Sequence, residues 1–177
     1  MDKLIFRNLQ ASEIECRVST VNDNGCSLLL YKDARCDMNI LDETVGPERW
    51  QRKHELINGN LFCSVGIFFP EMESWVWKQD VGTESYTEKE KGQASDSFKR
   101  SCFNWGIGRE LYTAPFIWVG KSDVNIKERN GKKTTYDKFR VTQIIIKDKK
   151  IVCLAIKNYT LNKMVIQYDG RKKQGET

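Results

Sequence analysis

Residues 50–82 read WQRKHELINGNLFCSVGIFFPEMESWVWKQDVG, and KGQASDSFKRSCFNWG follows at 91–106. These two runs decide the fold. The first alternates apolar and polar positions in three segments, 50–57, 61–69 and 75–82, separated by Asn58-Gly59-Asn60 and by Pro70-Glu71. Asn-Gly tolerates the positive φ angles of a tight hairpin turn, so the spacing predicts an antiparallel three-stranded meander. In the second run the period changes. At 100° per residue Ala94, Phe98, Ser101, Cys102 and Trp105 share one arc, which predicts a helix over about 87–105 with that arc toward a core. Ser85-x-x-Glu88 and Thr87-x-x-Glu90 each fit a capping box at its start, and Gly106 is a natural stop. The expected class is therefore α+β, a meander packed on a long helix.

Working outward, 14–20 and 26–32 read as two strands joined by Asn22-Asp23-Asn24-Gly25, an N-terminal hairpin. Residues 36–45 fit a short helix that stops at Gly46-Pro47. Beyond Tyr112 the segments 139–146 and 151–157 suggest another hairpin about Lys147-Asp148-Lys149-Lys150, and an earlier pair turns at Asn130-Gly131. The end, GRKKQGET, is polar. The expected organisation is a core domain over 1–120 and a basic β extension with a tail over 121–177.

The 177 residues carry 29 Lys+Arg against 24 Asp+Glu. The +5 balance hides an asymmetry. Residues 121–177 hold 15 Lys+Arg and 6 Asp+Glu, which is +9, so residues 1–120 sum to −4. A basic third on a mildly acidic body suits a polyanionic partner. No apolar run reaches the ~20 residues of a membrane span, and the opening MDKLIFRNLQ lacks the features of a secretory leader, so the expected location is the cytoplasm. The six cysteines contain no C-x-x-C pair, which argues against structural zinc and for thiols acting as small buried hydrophobes.

Several chemistries lack their residues. Gly120-Lys121-Ser122 has Pro115 where a phosphate loop needs its first glycine. His54 is the one imidazole, and no nucleophile motif accompanies it. A metal-dependent nuclease is the enzymatic alternative, using Asp80 with Glu88 or Glu90, but those glutamates fall in the first helical turns, where the helix dipole already favours them. On the helix side away from the core arc lie Asp96, Lys99, Arg100 and Phe103. Cations neutralise phosphates and an exposed aromatic stacks on an unpaired base, so this face suits single strands rather than duplex. Phe103 buried by a neighbouring subunit is the alternative reading of the same pattern.

Asp80-Val81-Gly82, then Lys91-Gly92-Gln93-Ala94-Ser95-Asp96-Ser97-Phe98-Lys99-Arg100, then Phe103-Asn104-Trp105-Gly106, resembles the Rad fifty-two family of single-strand annealing proteins, in particular its phage and prophage Sak-like recombinases. The hairpin around Arg17 and the Gly46 to Trp50 approach match in order, so the resemblance covers roughly residues 14–112. It implies a β-β-β-α core that assembles into rings or filaments, binding single-stranded DNA without cofactor, metal or ATP. It also implies a phage or prophage origin within a bacterial host, and an exonuclease or a single-strand binding protein as further partners. Position by position, Lys99 and Arg100 match the helix cations that hold the DNA backbone. Arg17 lies on the hairpin lining the same groove, and Phe103 stands where relatives often have another cation. Lys53 on the meander and the lysines of 121–150 are secondary candidates, while Asp96 is expected to orient Lys99 and Arg100. An interaction protein that does not anneal is the remaining alternative.

Overall fold

The computed structural model describes residues 3–83 and 89–171, Lys89 by its backbone alone. The capping boxes at Ser85 and Thr87, Glu88 and the last six residues lie outside the described residues. The chain divides into two compact units that alternate along the sequence. One comprises Met1–Arg7 with Asp33–Arg109, the other Asn8–Lys32 with Glu110–Thr177. This division differs from a boundary near residue 120, because the N-terminal hairpin finds its sheet partners at the far end of the chain.

In the first unit a helix α1 (Ala34–Val45) begins at Asp33, whose side chain accepts the Cys36 N–H at 2.9 Å, and ends at Gly46 with φ 85°. Trp50 follows, its indole N–H donating to Asp42 at 2.6 Å. Strands β3 (Trp50–Ile57), β4 (Asn60–Phe69) and β5 (Ser74–Val81), numbered after two strands of the other unit, form the expected meander in the order β3-β4-β5. Asn58 and Gly59, at φ 50° and 78°, make the first turn. Helix α2 (Lys89–Trp105) lies across β4 and β5. Ile40, Leu41, Val65, Ile67, Phe98, Cys102 and Ile107 fill the core between them, each at most 1% exposed.

The second unit is built on a six-stranded sheet in the order β11-β10-β9-β1-β2-β6. Its members are β1 (Glu15–Asn22), β2 (Gly25–Tyr31), β6 (Ile117–Gly120), β9 (Phe139–Lys147), β10 (Lys150–Asn158) and β11 (Lys163–Asp169). A small hairpin of β7 (Lys127–Arg129) and β8 (Lys132–Thr134) turns at Asn130-Gly131. The expected strands at 14–20, 26–32, 139–146 and 151–157 are all present, while β6 and β11 are additions. Cys26, Leu28, Val119, Phe139, Val141 and Ile156 cover the buried face of the sheet. Asn158 ties the sheet to its loops: its amide donates to the Asp123 carbonyl and to Asp137, at 3.0 and 2.7 Å.

None of the six cysteines is in a disulfide, and five are buried. Among the described residues no helix is long and apolar enough to cross a membrane.

Candidate nucleic-acid interface

Helix α2 is fastened to the end of β5 by the residues of the sequence signature. Gly82 permits the approach: a Cβ there would fall 2.2 Å from the Gln93 carbonyl oxygen and 2.7 Å from the Ser97 nitrogen. Gln93 Nε2 donates to the Gly82 carbonyl at 3.3 Å, and the Ser101 hydroxyl to the Lys78 carbonyl at 2.6 Å. Asn104 Nδ2 donates to the Gln79 carbonyl at 2.9 Å and reaches Asp80 Oδ2 at 3.3 Å. Asp80 Oδ1 takes the Val81 N–H at 2.8 Å. The Asp80 carboxylate thus serves the strand end, and Glu90 is exposed. Among the described residues no cluster of His, Cys, Asp or Glu is placed to hold a metal ion.

Of the expected core arc of α2, Phe98, Ser101 and Cys102 are buried and Ala94 is half-buried. Phe98 is fully buried, stacked on Trp50 with centroids 6.1 Å apart, and the Arg52 guanidinium lies 4.6 Å over its ring. Trp105 differs from the expected core position, being half-buried at the helix end, where it stacks on Phe69 and donates its indole N–H to the Val65 carbonyl at 2.9 Å. His54 Nε2 lies 3.2 Å from the Ala94 carbonyl, an acceptor only, so the imidazole proton sits on Nε2.

Asp96, Lys99, Arg100 and Phe103 are half-buried rather than open to solvent. For Asp96 and Arg100 the cause is the strand end. Asp96 Oδ2 accepts the N–H and the hydroxyl of Thr83 at 3.0 and 3.1 Å, and Arg100 Nε donates to the Val81 carbonyl at 3.1 Å. Asp96 also stands 3.8 Å from Arg100 Nε, an i,i+4 ion pair that holds the guanidinium. Lys99 and Phe103 share this helix with Arg100.

Lys53 is set apart from that group. Its neighbours Arg52 and His54 reach α2, so strand alternation turns Lys53 to the opposite face of the meander. There its Nζ lies 5.2 Å from the ring of Trp77. Trp77 is 39% exposed and lies over Gly66, where a Cβ would come within 2.8 Å of the indole. Trp75 stands 5.9 Å from Trp77, and Phe68 5.5 Å from Trp75, completing an aromatic ladder. The signal for this ladder lies in Trp75-Val76-Trp77, whose alternation in a strand puts both indoles on one face.

Arg17 belongs to the second unit. It is exposed, pairs with Glu15 at 3.0 Å and places its guanidinium 4.8 Å over the Tyr31 ring. The basic third contributes further cations on strands, among them Lys127 over Tyr136.

A scan of family models finds none that matches the chain. Among curated proteins it is similar to the single-stranded DNA-binding protein DdrA of Deinococcus radiodurans, 33% identical over 98 residues, or 54% of this chain and 46% of the relative. It is also similar to the single-stranded DNA-binding protein DdrA of Deinococcus deserti, 32% identical over 108 residues, or 60% of this chain and 52% of the relative. The chain thus spans about half the length of the curated relatives it matches. No solved structure matches it.

Proposed function

We propose that the protein binds single-stranded DNA and anneals complementary strands in recombination or repair, without ATP or metal. The observation that carries this reading is the fastening of α2 to the end of β5. It holds Arg100, braced by Asp96, on one rigid element with Lys99 and Phe103. Similarity to two proteins named for single-stranded DNA binding supports the same ligand.

No covalent chemistry is required of such a protein. Lys99 and Arg100 meet phosphates and lower the repulsion between two backbones; Phe103 offers a ring to an unpaired base; pairing then supplies the driving force. Lys53 over Trp77 and Arg17 over Tyr31 repeat the combination of cation and aromatic on other surfaces. The protein acts as a homo-oligomer, a ring or filament along which bases stay displayed, in the manner of phage-type recombinases, and cooperates with an exonuclease or single-strand binding protein.

The test is annealing of two complementary fluorescent oligonucleotides with chelator present and ATP absent, at two salt concentrations. Acceleration over the protein-free rate, reduced at the higher salt, is expected. Binding of single strands without acceleration would leave a binding protein that does not anneal, and loss of labelled DNA on adding Mg²⁺ would point to a nuclease.

A further inference from the structure

We infer that the second unit carries a single-strand-binding surface of its own, on the exposed face of its six-stranded sheet, centred on Arg140, Lys157 and Tyr159. The inference deepens the function proposed above, but it rests on residues of the C-terminal third that the signature does not include.

Strand register places the surface. Tyr31 pairs with Glu15, Glu15 with Arg140, and Arg140 with Lys157, so these four side chains form one row across β2, β1, β9 and β10. Directly paired residues share a face. The alternate positions Phe139, Val141, Ile156 and Asn158 are buried, so the row faces outward. Three strand spacings separate its ends, about 14 Å. Tyr159, two residues beyond Lys157, is 47% exposed and has the Arg140 guanidinium 5.1 Å and the Lys157 ammonium 5.3 Å from its ring centre. At the other end Arg17 lies over Tyr31, which is also exposed. The acid of the row, Glu15, is engaged by Arg17.

The chemistry of the row selects its occupant. Cations set beside an exposed ring gain little from one another in water, where both are well solvated. A base laid on the ring with its phosphate between the cations uses all of them. Duplex DNA hides the base faces, so the complementary ligand is a single strand. A strand lying across the sheet from Tyr31 to Tyr159 would meet a ring at each end and cations between.

The test uses the full chain and a fluorescein-labelled oligothymidine, read by anisotropy. Tyr159→Leu is expected to weaken binding about fivefold or more, and Tyr159→Trp, which keeps a stacking surface, to bind like the parent. Arg140→Gln with Lys157→Gln is expected to weaken binding and to flatten its salt dependence, which keeps the inference testable should Tyr159→Leu fail to fold. Parent-like affinity in both Tyr159→Leu and the double variant overturns the inference, as does equal loss in Tyr159→Leu and Tyr159→Trp with folding intact. Displacement of the oligothymidine by polyglutamate at matched charge would reduce the surface to a general anion patch and overturn it too. Lys99→Ala with Arg100→Ala, measured in parallel, separates the two readings. Loss there with parent-like affinity in both Tyr159→Leu and the Arg140, Lys157 double variant removes this surface and keeps the function, whereas no binding by the parent protein removes the function itself.

Discussion

The Cα of Gly82 stands so close to helix α2 that a methyl group on it would sit 2.2 Å from the carbonyl oxygen of Gln93. Backbone meets backbone at this point, and neither side has a flexible atom to yield. Gly82→Ala is therefore expected to cost about 1–3 kcal/mol, read as a lower urea midpoint with an unchanged slope. Gly120→Ala is the control, because a Cβ there meets nothing within 4 Å and should change stability by less than about 0.5 kcal/mol.

Lys99→Ala with Arg100→Ala should weaken binding to a single strand by about tenfold or more while leaving far-ultraviolet dichroism unchanged. Loss of the Arg100 bond to the Val81 carbonyl costs about 1 kcal/mol of stability, too little to unfold the protein. Each phosphate contact removed should reduce the slope of log affinity against log salt by about 0.7. Unchanged affinity would remove these cations from the site.

Phe98 and Phe103 stand five residues apart on the same helix but should respond differently to alanine. Phe98 is fully buried and clasped by Trp50 and Arg52, so Phe98→Ala should cost about 3–5 kcal/mol. Phe103 is half-buried, and Phe103→Ala should instead weaken strand binding by about 1–3 kcal/mol if its ring carries a base. Dissociation of the oligomer in Phe103→Ala, seen by light scattering, would assign the ring to a subunit interface.

The thiols should be silent in the folded protein. Burial pushes Cys16 up to about 12, and both Cys26 and Cys63 up to about 11, so at pH 8 almost no thiolate forms at these positions. Ellman's reagent should react with them only after denaturant is added.

Asp137 sets an acid limit on the second unit. Desolvation acts to raise its carboxyl, but bonds from the Asn125 backbone, Asn158 and the Asn125 side chain, with the charge of Lys127, outweigh it and hold the group below 3.8. A carboxyl lowered by folding contributes stability above its unfolded value, and that stability is lost as pH falls through the folded value. Melting temperature should thus fall as pH drops below about 4, and Asp137→Asn should lessen that fall while lowering the neutral-pH value.

How far the molecule can be read from its sequence depends on the range of the signal. The turns at Asn58-Gly59 and Asn130-Gly131 are written locally, because they need residues that accept positive φ, and both are where the sequence puts them. The arc of Phe98, Ser101 and Cys102 is likewise buried as its spacing predicts. Strand β11 escapes such reading because its exposure does not alternate cleanly, and β6 because four residues are too few to show a period. The pairing of Glu15 with Arg140 has no local trace at all, so the hairpin's place in the second unit could not be read from its own residues. The signature is a different case. Its residues were conspicuous as a pattern, yet Asp80, Gly82, Gln93, Asp96 and Asn104 hold strand to helix, and a pattern alone does not separate a residue that touches a ligand from one that positions its neighbour.

The alternation of the two units along the chain sets an order of events at the ribosome. Hairpin β1–β2 emerges first, but its neighbours β6 and β9 begin only at residues 117 and 139. The meander and α2 are synthesised in between and have all their strands by residue 105, so the first unit can close while the second is still half made. Through that interval the nascent hairpin has both strand edges unpaired; β6 then covers β2, and only the C-terminal third, with β9, covers β1. A shortened message that stopped near residue 120 would therefore release a product with a finished helix-and-meander and a β1 edge still open to pairing with other chains.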